Sequence, residues 1–482
     1  MRRRDFLRTI GTGAAAMALG GKGLHAADKP SRPNILFIFA DDQTYESICA
    51  LGYDEVQTPN LDRLVRNGVT FTHAYNQGSW SGAVCIASRC MLNTGRFLWH
   101  AQKVYGEAEK ERAAGRFWSE YMKKAGYRTY MTGKWHVKAD PEKAFDVAKQ
   151  PRPGMPKQTK EGYNRPIEGE KDPWSPSDPK FGGYWEGGKH WSEVVGDHGV
   201  SFIQEAARSD DPFFMYLAFN APHDPRQSPK EYVDKYPLDE IRIPANFLPE
   251  YPYKDSIGCG KGLRDEKLGP FPRTKYAVKV NRQEYYAIIT HMDAQVGRIL
   301  DALEQSGKAA NTYIFFSADH GLAVGHHGLF GKQNLFDHSV RVPLMVTGPG
   351  IAGGKTLDTP VYLQDIMPST LELAGVPQPD HVQFRSLMPV IRGQRQSSYD
   401  AIYGGYLSVQ RMVTMDGHKL LLYPKCEKVL LFDLRRDPDE MVDLADKPQS
   451  KPILKKLFAR LLELQAATGD KLDIKSVFGS LL

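Results

Sequence analysis

Four short apolar runs in this chain each break off into charged or imidazole residues, and that pattern limits the fold more than any other feature. Residues 34–40 stop at Asp41-Asp42, 127–131 run into Gly133-Lys134-Trp135-His136, 213–219 into Asn220-Ala221-Pro222-His223, and Thr312–Ala318 into Asp319-His320-Gly321. Short continuous apolar runs bounded by turn residues suit parallel strands buried on both faces. Helical stretches separate them: Leu61–Asn67, closed by Gly68; 117–125; and a long one over 284–306, with apolar residues at helical spacing and Gly307 after it. One more strand is expected over 341–346. The alternation predicts an α/β fold with a mostly parallel central sheet flanked by helices. In such sheets the ligand crevice lies beyond the carboxyl ends of the strands. If the four strands run parallel, their polar clusters open onto one site. Each cluster alone also reads as a turn or a helix cap; their shared position is what points to chemistry.

From residue 398 the character changes. Ala401–Tyr406, Gln410–Met415, 419–423 and 429–433 alternate like short antiparallel strands, and 453–467 is an amphipathic helix. This predicts a smaller C-terminal α+β subdomain on an antiparallel sheet, residues 398–482, beside a catalytic domain over 28–397. It would form one wall of the pocket. The chain's 482 residues allow such a pair, and 25% charged and 41% hydrophobic residues are ordinary for a globular protein. A net charge of +6 without a Lys/Arg block beyond the N-terminus argues against a nucleic-acid surface. Focused positive charge in a cleft would still favour anionic substrates. Five cysteines in so long a chain make no disulfide framework.

Residues 1–27 look like an export signal. Arg2-Arg3-Arg4-Asp5-Phe6-Leu7-Arg8 precedes a weakly apolar Gly/Ala stretch, with small residues around Ala26 and Ala27 offering a cleavage site. The stretch is too short to span a bilayer, so no stable membrane insertion is expected. It resembles a bacterial twin-arginine signal, which carries folded proteins; a plain secretory signal is the alternative. The mature chain is then expected in the periplasm or outside the cell.

The chemistry centres on Cys85-Ile86-Ala87-Ser88-Arg89, followed by Cys90-Met91-Leu92-Asn93-Thr94-Gly95-Arg96. It places a reactive side chain one turn before an arginine, where a helix could begin. A helix N-terminus turns free N–H groups and partial positive charge toward whatever lies in front of it. Arg89 leans back to the same spot, because helical side chains tilt toward the N-terminus. A nucleophile at Cys85 would face an anion held by Arg89. The plain alternative is a buried cysteine beside an arginine.

The run resembles the signature of the formylglycine-dependent sulfatases, Cys-x-Pro/Ala-x-Arg followed by Thr-Gly-Arg, in the alkaline-phosphatase-like superfamily. Ala87 stands where many members have proline. Further stretches match in the same order along nearly the whole mature chain. They include Pro33-Asn34-Ile35-Leu36, Thr58-Pro59-Asn60-Leu61-Asp62-Arg63-Leu64, Gly133-Lys134-Trp135-His136, Ser317-Ala318-Asp319-His320-Gly321 and Leu431-Phe432-Asp433-Leu434. The resemblance implies that a maturation enzyme oxidises Cys85 to formylglycine, whose hydrated aldehyde attacks sulfur. It implies one divalent cation, calcium, on Asp41, Asp42, Asp319, His320 and the modified Cys85. Histidine at 320, where many members carry asparagine, suits zinc or manganese better than calcium. Lys134 would hold a sulfate oxygen and the hydrate, and His136 would hydrogen-bond the hydrate and later remove a proton. Arg89 and Lys134 would neutralise charge on the sulfur oxygens, while His223 or Lys332 protonates the leaving alkoxide. His327 would be structural.

The stretches 141–191 and 251–279 are rich in Pro, Gly and Lys, and the first also in aromatics. The first reads as a substrate rim in which Trp174, Tyr184, Trp185 and Trp191 could stack on sugar rings, with Lys189 and His190 near anionic groups. With export, this favours a sulfated carbohydrate as substrate. The alternatives are a small aryl or choline sulfate, a phosphonate or phosphate ester on the same scaffold, or a non-catalytic binder of sulfated glycans. Nothing in the sequence sets an oligomeric state.

Overall fold

The computed structural model describes residues 32–482, so the export signal read over 1–27 lies outside the described residues. An eight-stranded sheet forms the centre: β1 (Asn34–Asp41), β2 (Val69–Phe71), β3 (Arg128–Lys134), β4 (Val147–Arg152), β5 (Phe213–Pro222), β6 (Thr312–Ala318), β7 (Leu344–Thr347) and β8 (Lys355–Leu357). Their spatial order is β8–β2–β7–β6–β1–β5–β3–β4. The four strands with polar ends, β6, β1, β5 and β3, are adjacent and parallel. The expected strand over 341–346 is instead two. Arg341–Val342 pairs with Ala74–Tyr75 in a small sheet, and β7 joins the main sheet antiparallel to β6. Pro343 separates them: it has no N–H for a ladder.

Every residue of β1 and β5 is buried, because both faces are covered. Alternation assigns the faces. Phe214 and Tyr216 meet Trp118 at 4.9 and 6.0 Å between ring centroids, and Phe37 meets it at 5.2 Å. Trp118 opens the helix Trp118–Lys124. Leu217, one residue beyond Tyr216, points the other way, to where Gly199 in the helix Trp191–Ala206 and Ile299 in the helix Lys275–Gln305 pack together. Burying each of these large side chains is worth roughly 1.5–3 kcal/mol. The long helix starts at Lys275 rather than at 284, with Thr274 Oγ1 accepting the Ala277 N–H at 3.1 Å as its cap. Residues 275–283 mix Lys275, Lys279, Asn281, Arg282 and Gln283 with the buried Ala277, Val278 and Val280, which hid them from an apolar-periodicity search.

A second sheet is built from β9 (Ala401–Tyr406), β10 (Gln410–Met415), β11 (His418–Tyr423) and β12 (Lys428–Asp433), antiparallel as expected, with the helix Lys451–Thr468 packed on it. Its last strand comes from far away in sequence: Gly78–Ser79 pairs parallel to β9. A Cβ on Gly78 would lie 2.1 Å from the Gly405 carbonyl oxygen, so only glycine permits this approach. Pro33–Leu482 forms one compact unit holding both sheets. Among the described residues, no helix is long and apolar enough to cross a membrane.

Candidate active site

The carboxyl ends of the four parallel strands finish level with one another: Ala40 is in register with Ala318, Asp41 with Pro222, and Gly133 with Ala218. That alignment brings Asp41, Asp42, Lys134, His223, Asp319 and His320 together, and the helix Val84–Thr94 delivers Cys85 from its first turn. Asp42 has a left-handed backbone, φ 69°, held by tertiary contacts. Its N–H donates to Asp319 Oδ1 at 3.2 Å, and Tyr285 from the long helix donates to its carbonyl at 2.6 Å. Strain of this kind persists only where surroundings over-determine it. Gly133, φ 86°, passes so near the Ala218 carbonyl that a Cβ would lie 1.9 Å from its oxygen, and this close fit aims Lys134 inward.

Three buried carboxylates face three buried cations. Asp41 pairs with Lys134, Asp42 Oδ2 with Lys332 Nζ at 2.7 Å, and Asp319 Oδ2 with Arg89 Nε at 2.9 Å. The compensation is incomplete. Burial, reinforced by Asp319, pushes Asp41 well above the usual carboxylate range. Burial would also raise Asp42, but His223, Lys332 and His320 outweigh it and hold it low. Asp41 Oδ1 has no hydrogen-bond partner. His320 Nδ1 donates to the Gly321 carbonyl at 2.9 Å, which fixes the tautomer and leaves Nε2 facing Asp42 Oδ1 at 3.1 Å and Asp319 Oδ1 at 3.5 Å, without a hydrogen bond of good geometry. Ligand atoms of Asp41, Cys85, Asp319 and His320 all lie within 4.8 Å of one another. Two oxygens on one calcium at about 2.3–2.6 Å are at most about 5 Å apart. The orphaned carboxylate oxygen, the free imidazole nitrogen and this spacing fit a divalent cation.

Cys85 is almost fully buried, with Sγ 3.2 Å from His136 Nδ1. Burial alone would raise the thiol, but Lys134, His136 and His320 hold it well below its ordinary value. The position therefore favours a negatively charged or strongly polarised nucleophile. It opens into a cavity of about 300 Å³ lined also by His136, His223, Arg264, Asp265 and Lys332. His223 Nδ1 faces Asp224, with the backbone oxygen at 2.8 Å and Oδ1 at 3.0 Å, so Nε2 accepts from Lys332 Nζ at 2.9 Å.

Some expected residues sit elsewhere than the sequence suggests. Arg89 does not reach the cavity. It is fully buried, its Nε on Asp319 and its Nη1 on the Lys134 carbonyl at 2.8 Å, with Nη2 alone unpartnered. Instead of presenting its whole guanidinium to an anion, it holds Asp319 and the end of β3 in place. Lys134 is likewise buried, on Asp41. The aromatic insert forms no sugar-stacking rim. Trp174, Tyr184, His190 and Trp191 are buried, Tyr184 stacks on His190 at 4.8 Å, and Trp185 meets His190 edge-on at 5.0 Å. Lys189 pairs with Asp197 at the surface. Tyr184 and Trp191 join the main hydrophobic core instead of facing solvent. Tyr184 also props the site, donating to the His223 carbonyl at 3.2 Å. His327 is structural, stacked on Phe336 at 4.0 Å. Asp224, Arg264 and Asp265 escaped the sequence reading. The available signals were the Asp224 adjacent to His223 and the position of Arg264-Asp265 inside the 251–279 excursion. Arg264 bonds Asp224 Oδ2 at 2.6 Å and also pairs with Asp265.

The chain can now be set beside known proteins. The sulfatase family model matches residues 33–376, and that of the N-sulphoglucosamine sulphohydrolase C-terminal region matches residues 325–467. An arylsulfatase of Clostridium perfringens is 29% identical over 486 residues, covering 90% of this chain and 95% of its own. An N-acetylglucosamine-6-O-sulfatase of Bacteroides thetaiotaomicron is 25% identical, covering 94% and 89%. A structure solved with its substrate D-glucosamine-2-N,6-O-disulfate superposes with a TM-score of 0.71 at 22% identity, covering 92% of this chain and 100% of its own. A phosphonate monoester hydrolase of Agrobacterium radiobacter reaches 0.69 at 20%, covering 91% and 96%, so the fold alone serves both ester types. The family match over most of the chain separates them: this protein belongs to the sulfatase family and is a sulfuric ester hydrolase.

Proposed function

We propose that this enzyme removes sulfate from a sulfated carbohydrate, outside the cytoplasm, using a formylglycine made from Cys85 and one calcium ion. The observation that carries the mechanism is the place of Cys85, between the cation-fitting cluster and the His223–Lys332 pair on the wall of one cavity. The similarity to a carbohydrate sulfatase and to a structure holding a sulfated glucosamine supports the substrate class. The arginine-led N-terminus supports export.

Asp41, Asp42, Asp319 and His320 would hold the cation, which polarises sulfate oxygens and lowers the pKa of a bound hydroxyl. Oxygen donors outnumber nitrogen, which favours calcium. A formylglycine at 85 would supply a nucleophilic hydroxyl and a second hydroxyl through which sulfate can leave. The chain's own residues do the rest. His136 Nδ1, beside position 85, takes up a proton there. Arg89 fixes Asp319 and the end of β3. On the leaving-group side, Asp224 holds His223 Nδ1–H, and Nε2 accepts from the Lys332 ammonium. The pair can pass a proton to the departing oxygen.

That assignment predicts a leaving-group dependence. His223→Gln is expected to lower kcat on sugar sulfates, whose alkoxides need the proton, by roughly 10²–10⁴-fold. A nitrophenyl sulfate, whose phenolate leaves unaided, should lose far less. Equal losses on both would remove His223 from the proton path. The substrate class is tested by free sulfate released from a panel of glycosaminoglycan and algal oligosaccharides. The protein would be co-expressed with a maturation enzyme and supplied with calcium. Release from at least one sugar supports the proposal. Cleavage of aryl sulfates or phosphonates alone, with the aldehyde confirmed by peptide mass, overturns it.

A further inference from the structure

His136 belongs to two cavities. Beside the one at Cys85 it also lines a second, of about 410 Å³, whose other walls include Tyr105, Trp135, Lys138 and Arg152. One chain segment runs along both: Pro151, Arg152 and Pro153 line the second cavity, and Gly154 and Met155 the first. The two spaces are therefore neighbours across a single imidazole and a few backbone atoms.

Among the described residues, the cations of the second cavity have no carboxylate counter-ion within salt-bridge distance. Arg152 ends β4, in register with Lys134 on β3. Its guanidinium lies 3.7 Å over the Trp191 ring, partly buried, and its Nε has no hydrogen-bond partner. Glu186, whose charge acts weakly on it, has its carboxylate 3.8 Å from Lys157. Burial pulls Arg152 down to about 10. Lys138 is exposed, its Nζ 4.8 Å from the centre of the Tyr105 ring. Among the described residues no carboxylate pairs with either. Buried Arg89, Arg165 and Arg411 have carboxylate partners, whereas buried Arg226 rests on Asn281. A partly desolvated guanidinium without an anion is costly, and a ligand anion removes that cost through charge-assisted hydrogen bonds. Tyr105 adds an aromatic surface of the kind that packs against a sugar ring.

We propose that this second cavity is an anion-binding subsite for a further negatively charged group, a sulfate or a carboxylate, on the saccharide whose sulfate ester lies at Cys85. The preferred substrate is then a polyanionic sugar rather than a singly sulfated one. The inference rests on the carbohydrate reading above. It is tested by kcat/KM of the mature, calcium-loaded enzyme on matched oligosaccharides carrying one sulfate, one sulfate plus a second sulfate, or one sulfate plus a uronate. Wild type should favour at least one doubly charged sugar by roughly tenfold or more, mainly through KM; which one it favours identifies the second anion. Arg152→Gln and the exposed-site Lys138→Ala should each shrink that ratio, while Arg152→Lys should retain part of it. Equal kcat/KM for singly and doubly charged sugars overturns the subsite but leaves the carbohydrate reading standing. So does a preference that survives in both Arg152→Gln and Lys138→Ala. Cleavage of an aryl sulfate with no sugar accepted overturns both.

Discussion

Cys85→Ser is expected to abolish steady sulfate release, by roughly 10⁵–10⁶-fold, the scale on which a hydrolase suffers when its nucleophile is removed. The cavity, the cation-fitting cluster and the His223–Lys332 pair remain, so substrate should still bind. A serine hydroxyl can accept a sulfuryl group at this position. It lacks a second hydroxyl through which to expel it. The variant should therefore gain the mass of one sulfuryl group after incubation with substrate, on a peptide containing residue 85. Sustained turnover by Cys85→Ser, beyond one equivalent per enzyme, would remove the need for formylglycine and sink the mechanism.

The second large effect concerns Arg89, which touches no part of the cavity. Arg89→Ala should lower folding stability by about 3–5 kcal/mol, the cost of leaving a buried charge unpaired. Asp319 would lose its 2.9 Å partner, the Lys134 carbonyl would lose a donor, and the guanidinium packed 4.7 Å from the Phe39 ring centre would vanish. Activity should fall with it, because Asp319 and Lys134 both depend on this side chain for their place. Urea unfolding followed by tryptophan fluorescence measures the first effect, and sulfate release the second. Arg89→Lys, which retains a charge but cannot make both bonds in the same geometry, should lie between. A midpoint for Arg89→Ala equal to that of wild type would show that Asp319 is neutralised by something other than Arg89.

The sequence went far for this chain because its strands are buried on both faces. Such strands are written as unbroken apolar runs, and the break from Ala40 to Asp41, or from Ala318 to Asp319, is visible without coordinates. Residues 34–40 and Thr312–Ala318 were legible on that basis, as were most residues of the strand-end cluster; the four C-terminal strands were legible from their alternation instead. The misreadings have a common origin in information that local pattern does not carry. The proline at 343 splits a strand between two sheets, and Lys275 begins a helix whose first nine residues carry too many polar side chains for a clear helical period. The aromatics from Trp174 to Trp191 packed inward because neighbouring rings and His291 were there to receive them.

By itself the sequence determined the parallel α/β core, the clusters at its strand ends and the Cys85–Arg89 motif, since each depends on residues a few positions apart. Only the tertiary structure decided which charges neutralise one another. It set Arg89 on Asp319, tied His223 to Asp224 and Lys332, and left Arg152 and Lys138 without carboxylate partners among the described residues. Pairings across tens to hundreds of residues follow from register and burial. A charge's role depends on what desolvates it and what faces it, and neither is set by its place in the chain.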